Sequence, residues 1–380
     1  MRTVSLTWRQ TGLAGVMALA VAAAAPPAAA SGSSGSSGWR IVSTVGSTSS
    51  RVGTGDITVS GTSDAWTAWT CGPCATGSKP HANLMQHWNG QRWSQVDLPG
   101  ELRYPAVISG MQASSAQNLW VFTDSARAEV FNGSRWTTKD LPSWVVRPVA
   151  GDESSIGTAV FSPANVWAFS LDAAREPTLA GHYSGGSWRK ENLPITPAQV
   201  DGLAPDDIWL YGFGKNNGPR TLAHYDGSSW DTVSFPHPAA GATLIPAGLA
   251  ALGAKSVWLI GEVFAKSGKV SFELLHWTGH WSTVRIPASV GDVSQLAADG
   301  HGRLWLIASR TAAGGSETTR FVRYAAGHWE SLAVPTQGKL ETEPGVLATV
   351  PGSSSMWSIG FLVSGSTPEY GAVLGLGLGQ

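Results

Sequence analysis

Cys71 and Cys74 stand three residues apart in WTCGPC, with His81 and His87 downstream, so the first chemistry to test is redox or metal chemistry. A Cys-x-x-Cys redox centre needs a helix to start after its first cysteine and lower the thiol pKa. Here Ala75-Thr76-Gly77-Ser78-Lys79-Pro80 follows, and that run cannot make the helix. A zinc site would read C-x2-C-x6-H-x5-H, irregular spacing for a finger. His87 also shares a sequence setting with His182, His224 and His276, each directly before an aromatic residue, which points to packing. Neither a metal nor a cofactor is expected.

Paired carboxylates could do glycoside chemistry, one as an acid of raised pKa and the other at a set distance from it. The candidates are Asp152-Glu153, Asp206-Asp207 and Glu341/Glu343. Asp207 lies two residues before a tryptophan, as do Asp64, Asn118 and Asn165, so it reads as a turn cap. No nucleophile elbow of the G-x-S-x-G kind is placed to serve a hydrolase sheet. Sialidase-like chemistry would want an arginine cluster and a tyrosine nucleophile. A copper oxidase would want convergent His and Tyr, but there are only six Tyr, three of them in repeat turns. No catalytic constellation emerges.

The elements that would carry any site are set by tryptophan. The chain has 380 residues, 19 of them Trp and 46 Gly, a bias toward strands and turns. One series lies in short apolar runs: Trp66, Trp120, Trp167, Trp209, Trp258, Trp305 and Trp357, at intervals of 54, 47, 42, 49, 47 and 52. A second follows a glycine turn: Trp93, Trp136, Trp188, Trp230, Trp281 and Trp329. Its missing seventh member is Trp39, near the front of the chain in GWRIVSTV, while the run after Trp357 ends without a second tryptophan. Units of about 40 to 50 residues fit four short strands, the length of a propeller blade. The expected fold is therefore all-β: a seven-bladed β-propeller with four antiparallel strands per blade. The N-terminal strand around Trp39 should complete the C-terminal blade and remove the free edges.

Residues 1–30 carry Arg2 and Arg9, an apolar run from Leu13 to Ala25 and the small residues Ala28-Ala29-Ala30, the pattern of a secretory signal peptide. The apolar run is shorter than the ~20 residues of a membrane span. The expected organisation is a signal peptide (1–30), a Ser/Gly linker (31–38) and one propeller domain (39–380). The protein should be secreted and extracellular, with no membrane attachment after signal removal. In that compartment Cys71 and Cys74 should form a local disulfide contributing about 2 kcal/mol. With 25 Lys+Arg against 26 Asp+Glu, no charge excess supports nucleic-acid binding.

An Asn/Asp-x-Trp strand start, as in DIWLYG, followed by a turn such as HYDGSSW, resembles the repeats of secreted actinobacterial β-propeller proteins. These are loosely grouped with the galactose-oxidase and kelch-like propellers, and the resemblance covers residues 39–380. It implies the fold and leaves function unassigned. Function is expected on the long connections, all of which fall on one ring face: 71–83, 141–155, 235–246, 262–271, 310–319 and 362–370. Trp69 and Trp144 lie outside both series and are either exposed aromatic anchors for a ligand or core filling. The expected function is extracellular recognition or scaffolding of a glycan or protein ligand through that face. The alternative is a glycan-active hydrolase or lyase on the same ring.

Overall fold

The computed structural model describes residues 38–46, 52–71, 82–103, 106–145, 156–171, 179–215, 218–238, 240–311, 317–365 and 367–377. The expected signal peptide, and all of the linker but Gly38, lie outside them. So do Cys74, the side chain of Cys71, His81 and the pair Asp152-Glu153. Among the described residues no helix is long and apolar enough to cross a membrane.

Seven four-stranded antiparallel sheets form the blades. Strand β1 (Trp39–Val45) precedes blade 1, made of β2 (Val52–Gly61), β3 (Asp64–Cys71), β4 (Ala82–Trp88) and β5 (Trp93–Gln95). A single helical turn, α1 (Gly100–Arg103), leads to blade 2: β6 (Ile108–Ser115), β7 (Asn118–Thr123), β8 (Arg127–Phe131) and β9 (Trp136–Asp140). Blade 3 holds β10 (Ile156–Ser162), β11 (Asn165–Ser170), β12 (Leu179–Ser184) and β13 (Ser187–Asn192). Blade 4 holds β14 (Ile195–Ala204), β15 (Asp207–Gly214), β16 (Gly218–Tyr225) and β17 (Trp230–Ser234). Blade 5 holds β18 (Thr243–Gly253), β19 (Ser256–Phe264), β20 (Val270–Trp277) and β21 (Trp281–Arg285). Blade 6 holds β22 (Asp292–Ala298), β23 (Leu304–Thr311), β24 (Glu317–Ala325) and β25 (His328–Ala333). Blade 7 has only three strands of its own: β26 (Glu341–Thr349), β27 (Met356–Ser364) and β28 (Thr367–Leu376). Its fourth is β1, in antiparallel register from Trp39 opposite Leu376 to Val45 opposite Gly371. The ring closes as the sequence predicts.

Local chemistry explains the hairpins. The third and fourth strands meet at Asn89-Gly90, Asn132-Gly133 and Asp226-Gly227, where the glycines take φ near +90°. The Asn89 carboxamide oxygen accepts the N–H groups of Gln91 and Arg92, both at 3.0 Å, which fixes the turn.

The core is seven apolar clusters, one in each seam between neighbouring blades. Each second strand is covered on both faces, which is why its sequence is apolar without alternation. The two tryptophan series meet in these seams. The first-series ring of one blade packs against the second-series ring of the next: Trp120 on Trp188 at 6.1 Å, Trp167 on Trp230 at 6.2 Å, Trp357 on Trp93 at 5.0 Å. Trp66 shares a cluster with Trp136, Trp209 with Trp281 and Trp258 with Trp329. Trp39 completes the set: its ring lies 5.8 Å from Trp305 and stacks on Phe321 at 4.0 Å. Thus β1 pairs within blade 7 but places its tryptophan against blade 6.

Candidate functional site

The histidines that precede aromatic residues are packing elements, as the repeat suggests. His87, His182, His224 and His276 stack on Trp66, Trp167, Trp209 and Trp258 with centroids 3.7 to 4.2 Å apart. Each Nε2 meets the side chain two residues before that tryptophan: Asp64 at 2.7 Å, Asn165 at 3.0 Å, Asp207 at 2.9 Å and Ser256 at 3.0 Å. The oxygens of Asp64, Asn165 and Asp207 accept from Nε2–H, whereas between His276 and Ser256 either atom can donate. Ser60, Asp64 and His87 also form a chain, but the Ser60 hydroxyl donates to Asp64, leaving the carboxylate in the middle. That order differs from a catalytic triad, in which the histidine is central. Asp207 thus orients His224, where the sequence suggested a turn cap.

Polar side chains on the inner strands do something else. The residue opposite the first-series tryptophan is Thr58, Gln112, Ala159, Asp201, Ala250, Ala297 and Ala348 in blades 1 to 7. The three polar ones each accept a backbone N–H from the next blade's inner strand: Thr58 from Ala113 at 2.9 Å, Gln112 from Val160 at 3.0 Å, Asp201 from Ala251 at 2.8 Å. Asp56, two residues before Thr58 on β2, accepts from Ile57 at 2.8 Å and from Met111 of blade 2. An innermost strand has one edge without a neighbour, and these bonds satisfy part of it.

Burial pushes the Asp56 and Asp201 carboxyls up to about 6, against the pull of the N–H groups they accept. Asp207 raises Asp201 further by like charge. A carboxyl whose pKa is higher folded than unfolded favours the folded state when protonated. Its contribution is full below the unfolded value of 3.8 and is lost as pH rises through 6. Asp201→Asn keeps an oxygen for the Ala251 N–H and removes the charge. The unfolding free energy of wild type relative to Asp201→Asn should therefore fall between pH 4 and pH 7, by up to about 3 kcal/mol. The lowered pKa values of His182 and His276 act on both proteins and cancel in the difference. Parallel denaturation curves across that range check this, and a flat difference would contradict it.

The seam between blades 4 and 5 is also bridged by polar side chains. Four blade 4 side chains reach backbone groups of β18 between Pro246 and Ala251: Arg220 to Pro246 O at 3.3 Å, Tyr211 Oη from Gly248 N–H at 3.3 Å, Gln199 to Leu249 O at 3.4 Å, and Asp201 as above. Gly248 sits at a β-bulge with φ +87°, where the ladder to β19 is broken and the backbone needs other partners. Arg220 also stacks over Phe213, 4.7 Å from its ring, and burial lowers its pKa.

Connections between second and third strands and those between blades share one face, the loop face. Across the blade 1/2 seam this face holds a cleft of about 190 Å³ lined by Gly55, Asp56, Ala68, Trp69, Thr70, Ile108, Ser109 and Gly110. Asn83 ties down its neighbourhood by donating to Leu102 O and Ala106 O, both at 2.7 Å.

Of the two candidate anchors, Trp144 is 36% exposed in the blade 2 to blade 3 connection, whereas Trp69 is 1% exposed. Trp69 is not an exposed anchor. It points toward blade 7, edge-on to Phe361 and tight against Gly371, because a blade has neighbours on both faces. Asp206 is exposed in a turn. Glu341 and Glu343 lie on β26, with Glu343 raised by burial and then by the like charges of Glu317 and Glu341. Among the described residues no cluster of His, Cys, Asp or Glu is arranged to hold a metal ion. Sequence reasoning missed Asp56, Asp201, Tyr211 and Arg220. Alignment of the inner strands on their tryptophan partners would have exposed Asp201 among alanines.

No protein-family model matches the chain, and no curated protein matches it in sequence. Solved structures do match its shape. The β-propeller domain of the Trilobed protease from Pyrococcus furiosus, described as having an open velcro topology, gives a TM-score of 0.54 at 9% identity, over 86% of this chain and 95% of that one. A streptogramin B lyase structure gives 0.51 at 14% identity, over 89% and 98%. At such identities the likeness is one of fold, and the chain is a seven-bladed β-propeller whose own ring is closed by β1.

Proposed function

We propose that the protein is a secreted recognition or scaffold module that binds a glycan or a protein through the loop face of its ring. The observation that carries this reading is the use made of the inner-strand polar groups. Asp56, Thr58, Gln112, Gln199, Asp201 and Tyr211 bond to the backbone of a neighbouring blade and so stiffen the ring that presents the loops. Asp56 and Asp201 stand on blades 1 and 4, and each carboxylate is taken up by backbone N–H groups, Asp56 by those of Ile57 and Met111 and Asp201 by that of Ala251. Export by removal of residues 1–30 and a Cys71–Cys74 disulfide belong to the same proposal.

A glycan-active hydrolase or lyase is the second reading. It is favoured by Asp56, a carboxyl with a pKa near 6 beside an open cleft, which suits a general acid. One structure of similar fold is that of a lyase by name. A glycan array together with a polysaccharide-degradation screen of the full chain separates the two. The first reading expects retained ligand without released product, weakened at least several-fold by Trp144→Ala. Product release abolished by Asp56→Asn would establish the second instead.

A further inference from the structure

We infer that Arg220 binds a carboxylate of the ligand, carried by a uronic-acid unit of a glycan, at the loop-face end of the blade 4/5 seam. The inference rests on the loop face being the binding face.

Arg220 departs from its repeat. The residue four positions before the partner of the first-series tryptophan is Asn83, Ala126, Phe272, Thr319 and Gly371 in blades 1, 2, 5, 6 and 7, all uncharged. Packing alone does not require a cation there. The guanidinium is half-buried, and removal from water already penalises its charge. No carboxylate of the described residues lies within salt-bridge distance of it. Glu262 supplies only a longer-range attraction, because it sits opposite Phe272, whose ring packs in the blade 5/6 cluster on the other side of the blade. Of five N–H donors, one reaches Pro246 O, and Phe213 holds the plane of the group from one side. The result is a fixed, half-buried fork that no carboxylate of the described residues meets, the arrangement that receives a planar carboxylate through two parallel hydrogen bonds.

The surroundings favour a saccharide as the carrier. A protein partner would want a cluster of large apolar anchors. Among the described residues the exposed large hydrophobic side chains on the loop face are Trp144 and Val270, far apart in the ring order, while Leu203 and Leu252 lie at the ends of β14 and β18 on the opposite face. The chain's net charge of −1 gives no general attraction for polyanions, so recognition would be of individual carboxylates.

Calorimetric titration of the full-length chain with tri-galacturonic acid and with neutral galactotriose tests this, alongside Arg220→Gln and Arg220→Lys. Binding of the acidic trimer should exceed that of the neutral one by about tenfold or more, be lost in R220Q, and be intermediate in R220K, which keeps the charge without the fork. In the wild-type protein the Arg220 Nε–Hε NMR signal should move during the acidic titration only, a readout that does not depend on any variant folding. Equal binding by a folded R220Q, or a stationary Arg220 signal, overturns the inference. If the wild type then still binds a neutral glycan or a protein through the loop face, the broader reading stands without it. If an acidic peptide moves the signal and tri-galacturonic acid does not, the glycan assignment is wrong.

Discussion

Trp39→Ala is expected to lower the unfolding free energy by about 3–5 kcal/mol, as much as any core substitution in the protein. Trp39 opens β1, the first strand of the fold, and the ends of a fold are ordinarily tolerant of change. Three observations reverse that expectation. Its ring is 4% exposed, it stacks on Phe321, and it meets Trp305 edge-on, the contact that Trp188, Trp230 and Trp93 make with the neighbouring blade's tryptophan at three other seams. The strand that carries it also supplies the fourth member of blade 7, so the loss acts on the pairing of β1 with β28 and on the seam to blade 6 together. Chemical denaturation followed by tryptophan fluorescence and far-ultraviolet dichroism measures the effect. A cost below about 1 kcal/mol would mean that the ring does not depend on this closure.

Trp209→Ala is expected to cost about 3–5 kcal/mol as well, for a different reason. Trp209 is 1% exposed, lies between His224 and the blade 5 cluster, and has no hydrogen-bond partner for its Nε1. Its contribution is volume and dispersion alone, so Trp209→Phe should recover most of the loss. Trp66 differs because its Nε1 donates to Asp64 at 3.1 Å. There phenylalanine should recover less, since the buried acceptor loses a partner. Unfolding midpoints of the alanine and phenylalanine variants at both positions test the distinction, and equal recovery at the two would contradict it.

The seven-fold ring was legible because each blade must bury both faces, and only large rings at a fixed spacing fill the gaps between flat sheets. The tryptophans record that requirement directly. Trp69 was less legible for the same reason: it has opposite parity to Trp66 on β3, which in a half-exposed sheet would imply solvent but here implies the other neighbour. The seam bonds were hidden by the bulges in β2, β6, β14 and β18, which shift register and conceal that Thr58, Gln112 and Asp201 are equivalent. Arg220 could be singled out only after its cross-strand partners were known, because an arginine in a strand near a turn is ordinarily unremarked. Residues on the loop connections carry no repeat, so the sequence located the face and left the ligand open.

Hydrogen exchange on the unmodified chain tests the closure most directly. If β1 is the outer strand of blade 7, its hydrogen-bonded amides between Trp39 and Val45 should exchange as slowly as those of β28, through the same global opening. Exchange of β1 at the rate of a free peptide, with β28 still protected, would show that the ring stands without its N-terminal strand.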